Sequence, residues 1–249
     1  GIFLAGAVQG PKDIPTTFAQ AKAAASSVAS MLSKEELKTE SNISAQKAKD
    51  PITIAFAKAT RLQPLEEHVP MLKSVLVIGG GIAGIQAALD LADQDYKIVL
   101  VEKNPMLGGH MAQLDKTFPT MDNSMSILGP KIDDINEHPN VTLLVNSEIL
   151  NVSGVAGNFH AKVLKKAQFI DEKNGEIKAI EYARKNQVAE FDVGAIIVAT
   201  GFEPYVPEGE FGFGKSKDVI TTLQLERMLN PDGPTQGKLV RPSNGHGAV

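Results

Sequence analysis

Three glycines, an acid and an A-T-G triplet are the residues whose types and spacing point to chemistry. Gly79, Gly81 and Gly84 stand in the pattern G-x-G-x-x-G, within SVLVIGGGIAGIQAALDLADQDYKIVLVEK, residues 74–103. In such a pattern the first glycine makes a tight turn, the second lets a pyrophosphate approach the backbone, and the third lets a helix pack close to a strand. Glu102 follows Gly84 by 18 residues. An acid at that place can accept both hydroxyls of an adenosine ribose. Ala199, Thr200 and Gly201 close a second apolar run further on. Glycines alone occur in many loops. A strand, a helix and a second strand ending in an acid, all in register with them, predict a dinucleotide site.

Those residues need particular elements to hold them. Val75 to Ile78 is a short continuous apolar run, as expected of a strand buried on both faces of a parallel sheet. The residues from Ile82 to Ala92 are good helix formers, so Ile82 and Ala83 open a helix whose N-terminus faces the phosphates. Ile98 to Val101 is the next strand, with Glu102 and Lys103 at its carboxyl end. Val141 to Val145 follows the turn His138-Pro139-Asn140. Residues 148–152 and 159–165 alternate and predict a hairpin through Gly154 and Gly157. Ile177 to Tyr182 is expected to pair with Ala189 to Phe191, and Ala195 to Ala199 is a buried returning strand. The predicted fold is α/β: a Rossmann-like parallel sheet with helices on both faces and a small antiparallel β layer.

The rest of the chain surrounds this unit. Residues 1–33 predict a strand (Ile2 to Ala5), a turn, and an alanine-rich helix from Thr17 to Leu32 capped by Thr16 or Thr17. Residues 34–50 are polar and charged and predict a linker. Residues 51–71 predict a helical lead-in, with Ile52, Phe56, Ala59 and Leu62 on one stripe and the helix ending near His68. The nucleotide-binding unit spans 72–206. Residues 207–249 predict an irregular tail with one short helix from Thr221 to Leu229.

Composition excludes several classes. The chain has 249 residues, a net charge of −4 and no cysteine. A charge of that sign gives no reason to expect a nucleic-acid partner. Without cysteine there are no disulfides, thiol catalysis or thiolate-bound clusters within these residues. Scattered histidines show no ligand spacing, so no metal site is expected. Ser124 and Ser126 lack the G-x-S-x-G elbow of a hydrolase. No apolar run reaches the roughly 18 residues of a membrane span, and Gly1 to Gly6 does not read as a signal peptide. A cytoplasmic location is therefore expected. Gly209, Gly212 and Gly214 lack a preceding strand and a following helix, so they do not form a second dinucleotide fingerprint.

The chain resembles the two-dinucleotide-binding-domain flavoproteins, and within them the flavin-carrying HdrA component of heterodisulfide reductase from methanogens and sulfate reducers. The stretches that carry the resemblance are VLVIGGGIAGIQAALDLAD, VEKNPMLGGHMAQLDKTFPT, IIVATGFEPY and AKATRLQPLEE. It covers nearly all of residues 46–249. It implies FAD at the glycine turn, a redox role in methanogenesis, and electron exchange with the other subunits of a heterodisulfide-reductase-like complex. It places Gly108, Gly109 and His110 over the pyrophosphate and ring, Ile149 near the adenine, and Thr200-Gly201 near the middle of the dinucleotide. His110 is either a flavin donor or a loop histidine satisfied by backbone.

The chain also departs from this family. Residues 1–33 resemble the segment that closes the flavin domain near the far end of the HdrA chain, yet here they come first. Family flavoproteins carry G-x-[FL]-x-A-G-D there, and this chain has Ala7 in place of the aspartate. A circular permutation, a stretch across the joint of two tandem copies, and an assembled chain all fit. If residues 1–33 close the same site, Lys12 in QGPKDIP lies near the reactive edge of the flavin and stabilises its reduced form; otherwise it is a solvated lysine. Asn123 and Met125 stand where the family has cluster cysteines, and the family's ferredoxin-like insertion is replaced by the short segment from Glu172 to Glu190. Three functions remain open: a redox flavoprotein, an FAD-binding module without turnover, and an NAD-dependent reductase. The lack of a second fingerprint disfavours the last.

Overall fold

The computed structural model describes residues 1–10, 12–34, 36–40, 66–167 and 186–247, and of 36–40 and 66–69 the backbone alone. In chain order the first elements are β1 (Ile2–Leu4), α1 (Ile14–Leu32), β2 (Glu36–Glu40), β3 (Glu66–Pro70), β4 (Ser74–Ile78), α2 (Ile82–Ala92) and β5 (Lys97–Val101). After them come β6 (Lys116–Thr117), β7 (Asp122–Asn123), α3 (Ser124–Glu137), β8 (Val141–Leu144), β9 (Ser147–Val155), β10 (Asn158–Lys165), β11 (Gln187–Val193), β12 (Ala195–Val198) and α4 (Thr222–Leu229).

Five strands form one parallel sheet in the order β1-β12-β4-β5-β8. The predicted run at Val75 to Ile78 is the central strand. Its neighbours put Val75 opposite Ala195 on one side and Ile98 on the other. Val75, Leu76 and Val77 are wholly buried, which is what an apolar run without alternation requires. β1 lies at the edge beside β12, with Ile2 in register with Ile196 and Leu4 with Val198.

The two faces of the sheet are covered differently. Val75, Val77, Ile98, Leu100 and Ile197 pack under α1, α2 and α3. Small residues let α1 and α2 approach closely: Ala21, Ala24 and Ala25 from one, Ala83, Ala87 and Ala88 from the other. Alternate residues Leu76, Val99, Val101 and Ile196 face the other way, onto Phe159, Ala161, Val163 and Val193 of a three-stranded antiparallel layer ordered β11-β10-β9. Among the described residues, this layer takes the place of the second set of helices expected from the sequence. The physical reason is the period-two pattern of Phe159, Ala161 and Val163, which gives β10 one continuous apolar face.

Several local expectations are corrected. The α1 helix starts at Ile14, and its cap is Asp13, not Thr16 or Thr17. The Asp13 Oδ1 accepts from the Thr16 N–H at 2.7 Å, and Pro15 sits in the first turn, where its missing N–H costs nothing. Part of the predicted linker, 36–40, is β2, paired antiparallel with β3, so the predicted lead-in helix does not run through 66–68. Residues 51–65 and the Ile177–Tyr182 strand lie outside the described residues. The helix α3, which carries Pro130 inside it, is not among the elements expected from the sequence. Asn123 nucleates it: its Oδ1 accepts from the N–H groups of Met125 and Ser126, both at 3.0 Å. The 147–165 hairpin and α4 are as expected, and α4 is closed at its start by a Thr221–Gln224 capping box.

Candidate functional site

The glycine turn joins β4 to α2, and each of its glycines is required for a different reason. Gly79 has φ +109, and a Cβ there would lie 2.4 Å from the Ala199 carbonyl oxygen. The turn is thus pressed against the A-T-G end of β12, where the Ala199 N–H donates to the Ile78 carbonyl at 2.8 Å. A Cβ on Gly84 would lie 1.8 Å from the Gly79 carbonyl oxygen, so this glycine lets α2 sit down on the turn. Gly81 is different. It is the N-cap of α2 in extended backbone (φ −78), and nothing lies within 4 Å of the position its Cβ would take. The space there is open, and the first N–H groups of α2, at Ile82 and Ala83, lie beside it with no partner inside the helix.

Glu102 closes the other side of the turn. It is buried at the end of β5, with Oε2 accepting from the Gly80 N–H at 2.6 Å and Oε1 accepting from the Asn104 N–H at 2.7 Å. Each carboxylate oxygen keeps a further lone pair. The Glu102 carbonyl accepts from the Ser147 N–H at 2.9 Å, which ties the start of β9, and Ile149 on it, to this end of the sheet. Lys103 is exposed and pairs at 3.9 Å with Glu203, in the segment that follows Gly201.

A cavity of about 610 Å³ opens beside Gly81. It brings together most of the predicted ring-side residues: Lys12, Ile82, Ala83, Gly108, His110, Ala199 and Gly201. The loop that carries Gly108 is locked on the turn, because the Gly108 N–H donates to the Gly80 carbonyl at 2.8 Å, while Gly109 packs on Gly81. The His110 ring lies 4.6 Å from the Phe202 ring, tilted by 39°. The cavity does not take in Gly79, Gly84, Glu102, Lys103, Gly109, Ile149 or Thr200. Gly79 and Gly84 pack the turn against Ala199 and α2, Glu102 and Lys103 stand at the end of β5, and Ile149 packs against the core under the antiparallel layer.

Segments distant in sequence complete the cavity. Ala7, Lys12, Ile14 and Thr17 from residues 1–33 form part of its wall, and so do Thr221, Thr222, Leu223 and Glu226 of the tail. Only the family resemblance, and no local pattern, leads to an expectation of Lys12 at this place. The helix α4 is legible from its cap and pattern, but no local signal shows that its first turn and Glu226 face this cavity.

The chain belongs to the pyridine nucleotide-disulphide oxidoreductase family, whose model matches residues 73–236. Among its relatives is the A subunit of the H(2):CoB-CoM heterodisulfide,ferredoxin reductase of Methanothermobacter marburgensis, 39% identical over 80% of this chain and 40% of that protein. Another is the A-type iron-sulfur subunit of the CoB--CoM heterodisulfide reductase of Methanocaldococcus jannaschii, 38% identical over the same shares. The chain thus spans about 40% of the length of these curated relatives. Solved structures that it resembles include an FAD-dependent pyridine nucleotide-disulphide oxidoreductase from Desulfovibrio vulgaris (16% identity, TM-score 0.32, 53% of this chain and 25% of that one). The L-proline dehydrogenase of P. horikoshii is another (23% identity, TM-score 0.38, 55% and 25%). The resemblance to HdrA read from the sequence stands. The cofactor this family implies is FAD, and the residues fit it: an open space above Gly81, the N–H groups that open α2 beside it, a buried carboxylate at the end of β5, and a largely apolar cavity. Among the described residues, no helix is long and apolar enough to cross a membrane.

Proposed function

We propose that the chain is an FAD-binding redox module of the HdrA type, which passes electrons between the partner components of a heterodisulfide-reductase-like complex. One observation carries the reading most directly. Lys12, from the segment that precedes the Rossmann unit, and Gly81, from its glycine turn, line the same cavity. The pairing of β1 with β12 holds the first segment there. This supports residues 1–33 as the closing part of the flavin site that residues 72–206 open.

When bound, FAD supplies one- and two-electron transfer. The chain's own residues would do the rest. Gly81 leaves room for the pyrophosphate, and the Ile82 and Ala83 N–H groups meet it at the positive end of α2. Glu102 would accept from the adenosine ribose while remaining fixed by Gly80 and Asn104, and Ile149 would flank the adenine. The 108–110 loop and Thr200-Gly201 would hold the middle of the dinucleotide, with His110 steadied by Phe202. Lys12 would place a positive charge at the ring end, where added electrons gather. The apolar wall of Ile14, Met111 and Leu114 would exclude water.

The absence of cysteine from these residues favours a second reading, an FAD-binding module without turnover of its own, because no thiolate-bound cluster here can carry electrons onward. A visible absorption spectrum of the purified chain, after incubation with FAD and removal of excess, tests both. A flavin spectrum that bleaches with dithionite and returns in air supports the redox module. A bound flavin that fails to bleach leaves the binding module, and no retained flavin rejects both.

A further inference from the structure

Among the described residues, Glu226 is the one carboxylate that lines the cavity, and it does so from α4, outside the Rossmann unit. Its place is fixed. The Asp115 N–H donates to the Glu226 Oε2 at 3.0 Å. One turn on, buried Asn230 donates from its Nδ2 to the Leu114 carbonyl at 2.9 Å. The same carbonyl accepts from the Ser124 hydroxyl at the start of α3. Two adjacent residues, Leu114 and Asp115, thus hold both ends of the last turn of α4. The helix buries none of its own eight residues fully, so these anchors, not a core, keep it against the cavity.

From this geometry we infer that Glu226 is a positioning residue with two separable jobs: it pins α4 as a wall of the flavin cavity, and its negative charge opposes that of Lys12 in setting how readily bound flavin accepts electrons. The inference rests on the flavin reading above and adds a residue to it. A carboxylate facing a largely apolar cavity is screened less than one in water, so its charge acts on anything bound there. An electron-rich, reduced flavin is disfavoured by it and favoured by Lys12. Opposed charges on two walls would keep the potential between the extremes that either alone would set.

Two substitutions separate the jobs. Glu226→Gln keeps an oxygen that accepts from the Asp115 N–H and removes the charge. Glu226→Ala removes both. The measurements are FAD retention, by titration of the purified chain, and the midpoint potential of the bound flavin, by dye-equilibrated reduction. Glu226→Gln is expected to retain FAD as the unaltered chain does and to shift the midpoint upward. Glu226→Ala is expected to retain FAD about tenfold less tightly, the loss of one hydrogen bond to a charged group. Asn230→Ala, which frees the other anchor without touching a charge in the cavity, is expected to weaken retention with the midpoint unmoved. An unchanged midpoint in Glu226→Gln overturns the electrostatic job. Undiminished retention in both alanine variants overturns the anchoring job. Failure of the unaltered chain to bind FAD would reject the flavin reading itself, a result distinct from either.

Discussion

The Gly80 N–H donates to the Glu102 carboxylate at 2.6 Å, so the glycine turn and the acid at the end of the second strand are one hydrogen-bonded unit. The backbone of the turn is held by a buried side chain from the end of the next strand. A change at Glu102 would therefore be felt in the backbone of the glycine turn.

Replacing Glu102 with glutamine tests that link. The amide offers one accepting oxygen to two N–H donors, those of Gly80 and Asn104, and sets its NH2 against the other. One buried donor is left unpaired, at a cost of about 1–3 kcal/mol. Denaturant melts without FAD should show that loss, and FAD titration should show weaker binding. Equal stability of the two proteins would remove the proposed unit.

The glycines should separate folding from binding. Gly81→Val has room and an ordinary φ of −78, so it should fold normally and bind no FAD, because its side chain takes the space of the phosphates. Gly84→Ala would drive a methyl to 1.8 Å from the Gly79 carbonyl oxygen, so it should cost about 1–3 kcal/mol or more of stability. Circular dichroism melts and flavin content read the two effects. Unchanged flavin content in Gly81→Val would refute the phosphate assignment.

Lys12→Met removes a positive charge from the cavity. At about 4 Å and an effective dielectric near 20 the attraction is roughly 4 kcal/mol, and roughly 1–2 kcal/mol after desolvation. The flavin should become harder to reduce, with a midpoint lower by about 20–45 mV for a two-electron couple. The same midpoint in both proteins would mean that Lys12 does not act on the flavin.

The cap of α1 predicts a pH dependence. Hydrogen bonds from the Thr16 side chain and backbone hold the Asp13 carboxyl below its usual range. A carboxyl whose folded pKa is depressed adds stability above its unfolded pKa, about 3.9, and that stability is lost as pH falls through the folded value. Asp13→Ala should therefore melt earlier than the unaltered chain near pH 6, and the gap should close in acid. A gap that persists at the lowest pH would show that the charge of Asp13 is not what stabilises the helix.

The parts legible in the sequence are those whose chemistry is local. The apolar run at Val75 to Ile78, the three glycines and Glu102 lie within one stretch of chain, and each leaves a residue-type signature. The cap of α1 falls a few residues from the expected place because Asp13, Thr16 and Thr17 are all good caps, and only the backbone conformation at Asp13 chooses among them. The helix α3 is hidden because Pro130 masks a start made by Asn123. Glu226 is beyond reach for a different reason: its meaning comes from Asp115, with which it shares no motif, period or spacing.

The parallel pairing of Ile2 with Ile196 has a consequence for the order of folding. During synthesis β1 finds its neighbour only after the whole of the stretch between them has been made. Equilibrium hardly registers such a delay, since each doubling of a closed loop costs only about 0.6 kcal/mol. Kinetics does, because contacts far apart in sequence form late. The β1 edge of the sheet is thus closed late, although α1 has its partner α2 long before, since Ala21, Ala24 and Ala25 pack on Ala83, Ala87 and Ala88. The cavity itself gains its walls at Ala199 and at Glu226 only when β12 and α4 have been made, so until then it stands open on those sides.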